Sequence, residues 1–160
     1  AAPALPPGGH PGRRTVKKRI AAAALALIAQ PAAAQEAALY TTELAYDDVI
    51  FGLESAITNR GLVVDHVSHV GDMLERTRAD VGSDVVLFQN AQVFSFCSAQ
   101  LSREVMEADP MNISFCPYNI FVAQLPDTQE VTIGFRSFPE GEMQVIQDLL
   151  DGIVQDAIEE

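Results

Sequence analysis

The chain has 160 residues, is 48% hydrophobic and 20% charged, and carries a formal net charge of −12. It holds enough apolar material for one buried core, and its acidic balance argues against nucleic acid and anionic membrane as partners. The charges are unevenly placed: Arg13, Arg14, Lys17, Lys18 and Arg19 lie before residue 20, and all twenty-two acids lie after Ala34.

That basic head runs into the unbroken apolar stretch Ile20 to Ala29 and then into Gln30-Pro31-Ala32-Ala33-Ala34. A basic head, a short apolar core and small residues two apart form the secretory leader pattern. The apolar run is shorter than the ~20 residues a membrane span needs. Cleavage is expected after Ala34. The Pro/Gly-rich residues 1–15 are read as an extension upstream of the leader, with Val16 as its start. Residues 1–34 are therefore assigned to extension and leader, and 35–160 to a single domain. Without the leader the charge is five minus twenty-two, or −17. The location is read as periplasmic or secreted. The charge suits solubility, or a cationic protein partner.

Leu39 to Leu44 reads as a first strand. Asp47 and Asp48 suit a helix start, where acidic side chains meet free amides and the positive end of the dipole. Val49, Ile50, Leu53, Ala56 and Ile57 keep helical spacing, and Gly61 fits the closing left-handed residue. Leu62 to Val67 is β-branched and short, a second strand. A helix is expected from Val70, ending at Gly82-Ser83. Asp84 to Phe88 reads as a buried strand and Gln89-Asn90-Ala91 as a turn. Phe94 and Phe96 lead into a helix over Ala99 to Ala108, with Leu101, Val105 and Met106 inward, broken at Asp109-Pro110. Ile113 to Leu125 reads as a long strand interrupted at Cys116-Pro117, where proline points to an edge or bulge. Pro126 to Gln129 makes a hairpin loop. Val131, Ile133 and Phe135 alternate with Thr132, Gly134 and Arg136 as a half-buried antiparallel strand. From residue 140 the residues Met143, Ile146, Leu149, Leu150, Ile153, Val154, Ala157 and Ile158 form one apolar helical stripe, which needs a sheet or a partner chain to cover it. The expected class is α+β, an antiparallel sheet with helices packed on one face.

Several of these stretches, between Tyr40 and Phe138, resemble the domain of unknown function 302 (DUF302) family. The resemblance rests on the helix ending at Asn59-Arg60-Gly61, the surroundings of His69, Val86-Leu87-Phe88-Gln89-Asn90, Met106-Glu107-Ala108-Asp109-Pro110 and the strand Tyr118 to Val122. Two departures stand out. The family's Phe-Gly-Asn-Pro type motif reads Phe88-Gln89-Asn90-Ala91 here. Its Asp-His pair reads Ser68-His69, unless Asp65-His66 is the counterpart. The resemblance implies a TATA-binding-protein-like α+β fold, often dimeric, and no established activity. The fold analogy does not imply DNA binding.

Cys97 and Cys116 are the only cysteines. An even count in an exported chain favours a disulfide. Two separate buried thiols, or a thiolate holding a metal or haem, are the alternatives; a bridge requires Cα atoms within about 7 Å. His66 and His69 form an H-x-x-H pair that, with Cys97, Cys116, Met106 and Met111, would supply a soft N/S site for copper or an axial ligand for haem. No C-x-x-C-H occurs, which excludes covalent c-type haem. Glu104, Glu107 and Asp109 beside Arg103 offer paired carboxylates for acid–base work, but read more simply as a solvated helix face. The leading expectation is a homodimeric binding or accessory domain with a pocket between sheet and helices. A haem or copper protein and an enzyme of unknown type are the alternatives.

Overall fold

A computed structural model of the chain describes residues 36–159. The expected leader and its expected cleavage point lie outside the described residues. The described elements are β1 (Ala37–Thr42), α1 (Tyr46–Asn59), β2 (Val64–Ser68), α2 (Val70–Thr77), β3 (Asn90–Phe96), α3 (Ala99–Ala108), a 3-10 segment (Pro110–Phe115), β4 (Tyr118–Gln124), β5 (Val131–Arg136) and α4 (Gln144–Ile158). The strands form one antiparallel sheet in the order β1-β5-β4-β3-β2. The α+β architecture is the expected one. No described helix is long and apolar enough to cross a membrane.

Period-two alternation decides which side chains enter the core. Ile120 and Val122 of β4, Ile133 and Phe135 of β5, and Phe94 and Phe96 of β3 are buried on one face. Helices α1 and α4 pack against each other and close that face through Val49, Leu53 and Ile57 on one side and Ile146, Leu150 and Ile153 on the other. The apolar stripe of the last helix is thus spent on its own chain's core. The pocket is expected between sheet and helices; among the described residues a cavity opens instead on the other face of the sheet.

Three strand expectations are corrected. Asp84 to Phe88 is a loop, exposed up to Leu87 with Phe88 half-buried, and β3 begins at Asn90, inside the expected turn. A run such as Val85-Val86-Leu87-Phe88 suits a strand covered on both faces, whereas this sheet is covered on one and selects alternating sequence. The long strand expected from Ile113 begins only at Tyr118. Pro110 opens the 3-10 segment, the Asp109 side chain accepts a hydrogen bond from the Met111 amide at 2.9 Å, and Ile113 is left 59% exposed. Pro117 marks neither an edge nor a bulge, because β4 is interior and the proline stands one residue before it, costing no ladder bond. Helix α2 is shorter than expected: it ends at Thr77 and the chain turns on to Gly82, whose φ is +72°. Helix α3 matches its expected bounds, capped by the Ser98 hydroxyl, which accepts from the Leu101 amide at 3.3 Å.

The Tyr46 hydroxyl is buried with no hydrogen-bond partner among the described residues. Burial, assisted by the Asp47 and Asp72 carboxylates, pushes its pKa from 10.0 to about 12. A folded-state value above the unfolded one gives stability that is complete below pH 10 and lost as the pH climbs towards 12. Tyr46→Phe removes both the unpaired hydroxyl and this titration. We expect about 1 kcal/mol of stabilisation at neutral pH and a shallower loss above pH 10, read by urea melts across pH. A destabilised variant would show that the hydroxyl has a partner.

Candidate functional site

The face of the sheet turned away from α1 and α4 is built in two rows. Cross-strand pairing aligns Leu39 with Gly134, Gly134 with Phe121, Phe121 with Val93 and Val93 with Ser68. This is the apolar row. Only glycine fits its middle, because a Cβ at Gly134 would meet the Ala38 carbonyl oxygen at 2.4 Å, Leu39 Cδ2 at 3.1 Å and Phe121 Cζ at 3.1 Å. Leu39 and Phe121 therefore close over the gap. The neighbouring row is polar: His66 pairs with Ser95, Ser95 with Asn119, and Arg136 with Ala37. The Ser95 hydroxyl donates to Asn119 Oδ1 at 2.6 Å, and Asn119 Nδ2 donates to the Pro117 carbonyl at 2.9 Å.

Where the rows reach the end of the sheet, a cavity of about 650 Å³ opens. Val93, Asn119, Phe121 and Arg136 form its floor; Ser114, Phe115, Ser137 and Phe138 form its walls. The walls are anchored from several sides. Phe115 and Phe138 meet with ring centroids 5.8 Å apart, and Tyr118 stands edge-on to Phe138 at 5.9 Å. Tyr118 shares a 2.9 Å hydrogen bond with Ser102 of α3. Burial raises the Tyr118 pKa, with the Ser102 bond opposing, so the phenol is neutral at physiological pH. From α4, Gln147 Oε1 accepts the Phe138 amide at 2.9 Å and Gln144 Nε2 donates to the Phe138 carbonyl at 3.2 Å.

Among the described residues no carboxylate lines this cavity, and Arg136 is its one charged group. Arg60, Arg78 and Arg103 each stand in an ion pair, whereas Arg136 and Arg76 have none among the described residues. Sequence reading placed Arg136 on the outward side of β5 without marking it. The available signal was its position as the last outward residue of an alternating strand, in a chain with five cations after Ala34.

The residues singled out from sequence are placed as follows. Cys97 and Cys116 come together, their Cα atoms 6.6 Å apart and their sulfurs at bonding distance, with no free cysteine among the described residues. The pair ties the residue after β3 to the residue before Pro117. His66 lies exposed on the polar row, while His69 occupies the position before α2, also exposed. Met106 is half-buried against the core from α3, and Met111 is 68% exposed on the 3-10 segment. Among the described residues no three His, Cys, Asp or Glu side chains are gathered as a metal site. Arg103 and Glu107 form a 2.8 Å ion pair on the exposed side of α3, and Asp109 is occupied as a cap.

The family model described as "Domain of unknown function DUF302" matches residues 39–159, a span that includes α4. No curated protein matches the chain. Among solved structures the chain is similar to the uncharacterized conserved protein DUF302 from Bacillus stearothermophilus, with a TM-score of 0.53 and 18% identity over 78% of this chain and 88% of that one. At that identity the likeness is one of fold. The family match spans most of the length and the solved relative shares the architecture, so this protein belongs to the DUF302 family.

Proposed function

We propose that this is an exported binding module that seats a small ligand on the uncovered face of its sheet and pairs with a second copy of itself. The cavity over Val93, Phe121 and Phe138 carries the binding reading. It is concave, joins aromatic and aliphatic side chains to a comparable share of polar surface, and its volume falls within the ~300–1,000 Å³ usual for ligand sites. The leader pattern and the paired cysteines support export, since such pairs persist in oxidising compartments. N-phenyl-1-naphthylamine, a neutral dye that brightens in apolar sites, tests the cavity. The mature protein is expected to bind it, and Phe121→Ser and Val93→Asn are each expected to weaken that binding several-fold while leaving the circular dichroism unchanged. Undiminished binding in both folded variants would overturn the reading.

The self-pairing reading rests on the loop between α2 and β3. Val81, Val85, Val86 and Leu87 are 75%, 62%, 47% and 51% exposed. No charge occurs from Val85 to Ala91. Two subunits this acidic approach each other most easily through such an uncharged patch. Sedimentation equilibrium is expected to find a dimer that Leu87→Asp dissociates. A monomer at tens of micromolar would remove this part of the proposal without touching the cavity.

A further inference from the structure

We infer that the cavity selects a small organic anion, with an aromatic or hydrocarbon body against Val93, Phe121 and Phe138 and its acid group on the Arg136 guanidinium. The inference rests on the binding reading above and names the chemical class of that ligand.

Charge distribution is the first argument. Twenty-two acids follow residue 34, yet none of the described ones lines the cavity, whereas one of only five cations does. Arg136 has no ion-pair partner among the described residues, so its forked donors remain available to an incoming acid. Asn119, Ser114 and Ser137 stand around the same space and offer neutral hydrogen bonds. A cationic ligand would face the guanidinium with no carboxylate to answer it.

Ligand size is the second argument. A polyanion such as nucleic acid, or an anionic membrane surface, would meet the whole acidic surface and be repelled at many points. A small anion meets Arg136 at contact distance; Glu36, beside Ala37, is the nearest acid along the chain and does not line the cavity, and exposed carboxylates more than about 8 Å away are largely screened at physiological salt. The apolar walls provide affinity for the body of the ligand, and the single cation provides the choice of head group.

A matched pair of dyes separates these contributions. 1-Anilinonaphthalene-8-sulfonate has the rings of N-phenyl-1-naphthylamine plus one sulfonate. Both are titrated into the mature protein with its cysteine pair intact, and into Arg136→Gln and Arg136→Lys. We expect Arg136→Gln to weaken the sulfonate dye about tenfold or more, the usual worth of a hydrogen bond to a charged group. The neutral dye should change less than twofold, and Arg136→Lys should recover part of the loss. Leu87→Ser should leave the sulfonate dye bound, which separates the cavity from the apolar loop. If the neutral dye binds but the sulfonate dye is indifferent to Arg136→Gln, anion selection is overturned and the binding reading survives. Failure of both dyes to bind overturns both. A loss in Arg136→Gln that tracks a change in sedimentation would assign Arg136 to self-association and also overturn the inference.

Discussion

Replacing the cysteine pair, as Cys97→Ala with Cys116→Ala, is expected to lower stability by about 3 kcal/mol and the melting temperature by roughly 10 °C. The two cysteines are 19 residues apart in sequence, and the loop they close holds α3, the 3-10 segment and the wall residue Phe115. On the chain-entropy model the link acts chiefly on the unfolded ensemble, which loses the freedom of that loop. Reduction of the unaltered protein should reproduce the shift, because the loop and not the side chains supplies it. Urea melts with and without reductant give the comparison, and coincident midpoints would refute a structural role for the pair. A second consequence separates the wall from the core. Phe115 precedes Cys116 and meets Phe138 across the cavity mouth, so loosening this loop should weaken binding of the neutral dye well below the melting temperature. Deeper core packing, from Ile120 to Leu150, has no part in the loop and should keep its near-native circular dichroism there.

The core was legible because it obeys two simple periods. Val131, Ile133 and Phe135 announce a strand covered on one side, and Ile146, Leu150 and Ile153 a helix with one apolar face; all six are buried. The loop at Val85 to Phe88 was misread because local hydrophobicity names what wants burial and not what obtains it. Only the sheet order, which puts Asn90–Phe96 between β4 and β2, excludes that run from the ladder. The cysteine pairing was legible because there were only two to join. The cavity was not. Its floor comes from β3, β4 and β5 and its walls from the 3-10 segment and the residues after β5, a convergence that depends on register. The sequence shows Arg136 as one outward residue among many. It takes strand pairing to set it beside Asn119 and Phe121 in a cavity that no described acid lines.

Substituting Gly52 with alanine is expected to cost about 2 kcal/mol, although alanine is the better helix former by roughly 1 kcal/mol. Gly52 sits in the middle of α1 where that helix crosses α4. An added Cβ would lie 2.4 Å from the Ala157 carbonyl oxygen and 3.2 Å and 3.3 Å from its carbonyl carbon and Cα. These are backbone atoms of another helix, so relief requires the two helices to move apart and the shared core of Leu53, Ile57, Ile153 and Val154 to loosen with them. Trimming Ala157 to glycine would not rescue the variant, since the clash is with main chain. Gly152, in α4 of the same helix pair, provides the contrast. A Cβ there meets only Arg60 Nη2, at 3.1 Å, the far end of a flexible side chain that also pairs with Asp156 at 2.6 Å. Gly152→Ala should therefore be neutral or stabilising, as helix propensity alone dictates, while Gly52→Ala is not. Urea midpoints for the two variants decide the matter. If both substitutions stabilise equally, α1 and α4 are not in backbone contact at Gly52, and the close helix pair that covers one face of the sheet is not packed as described.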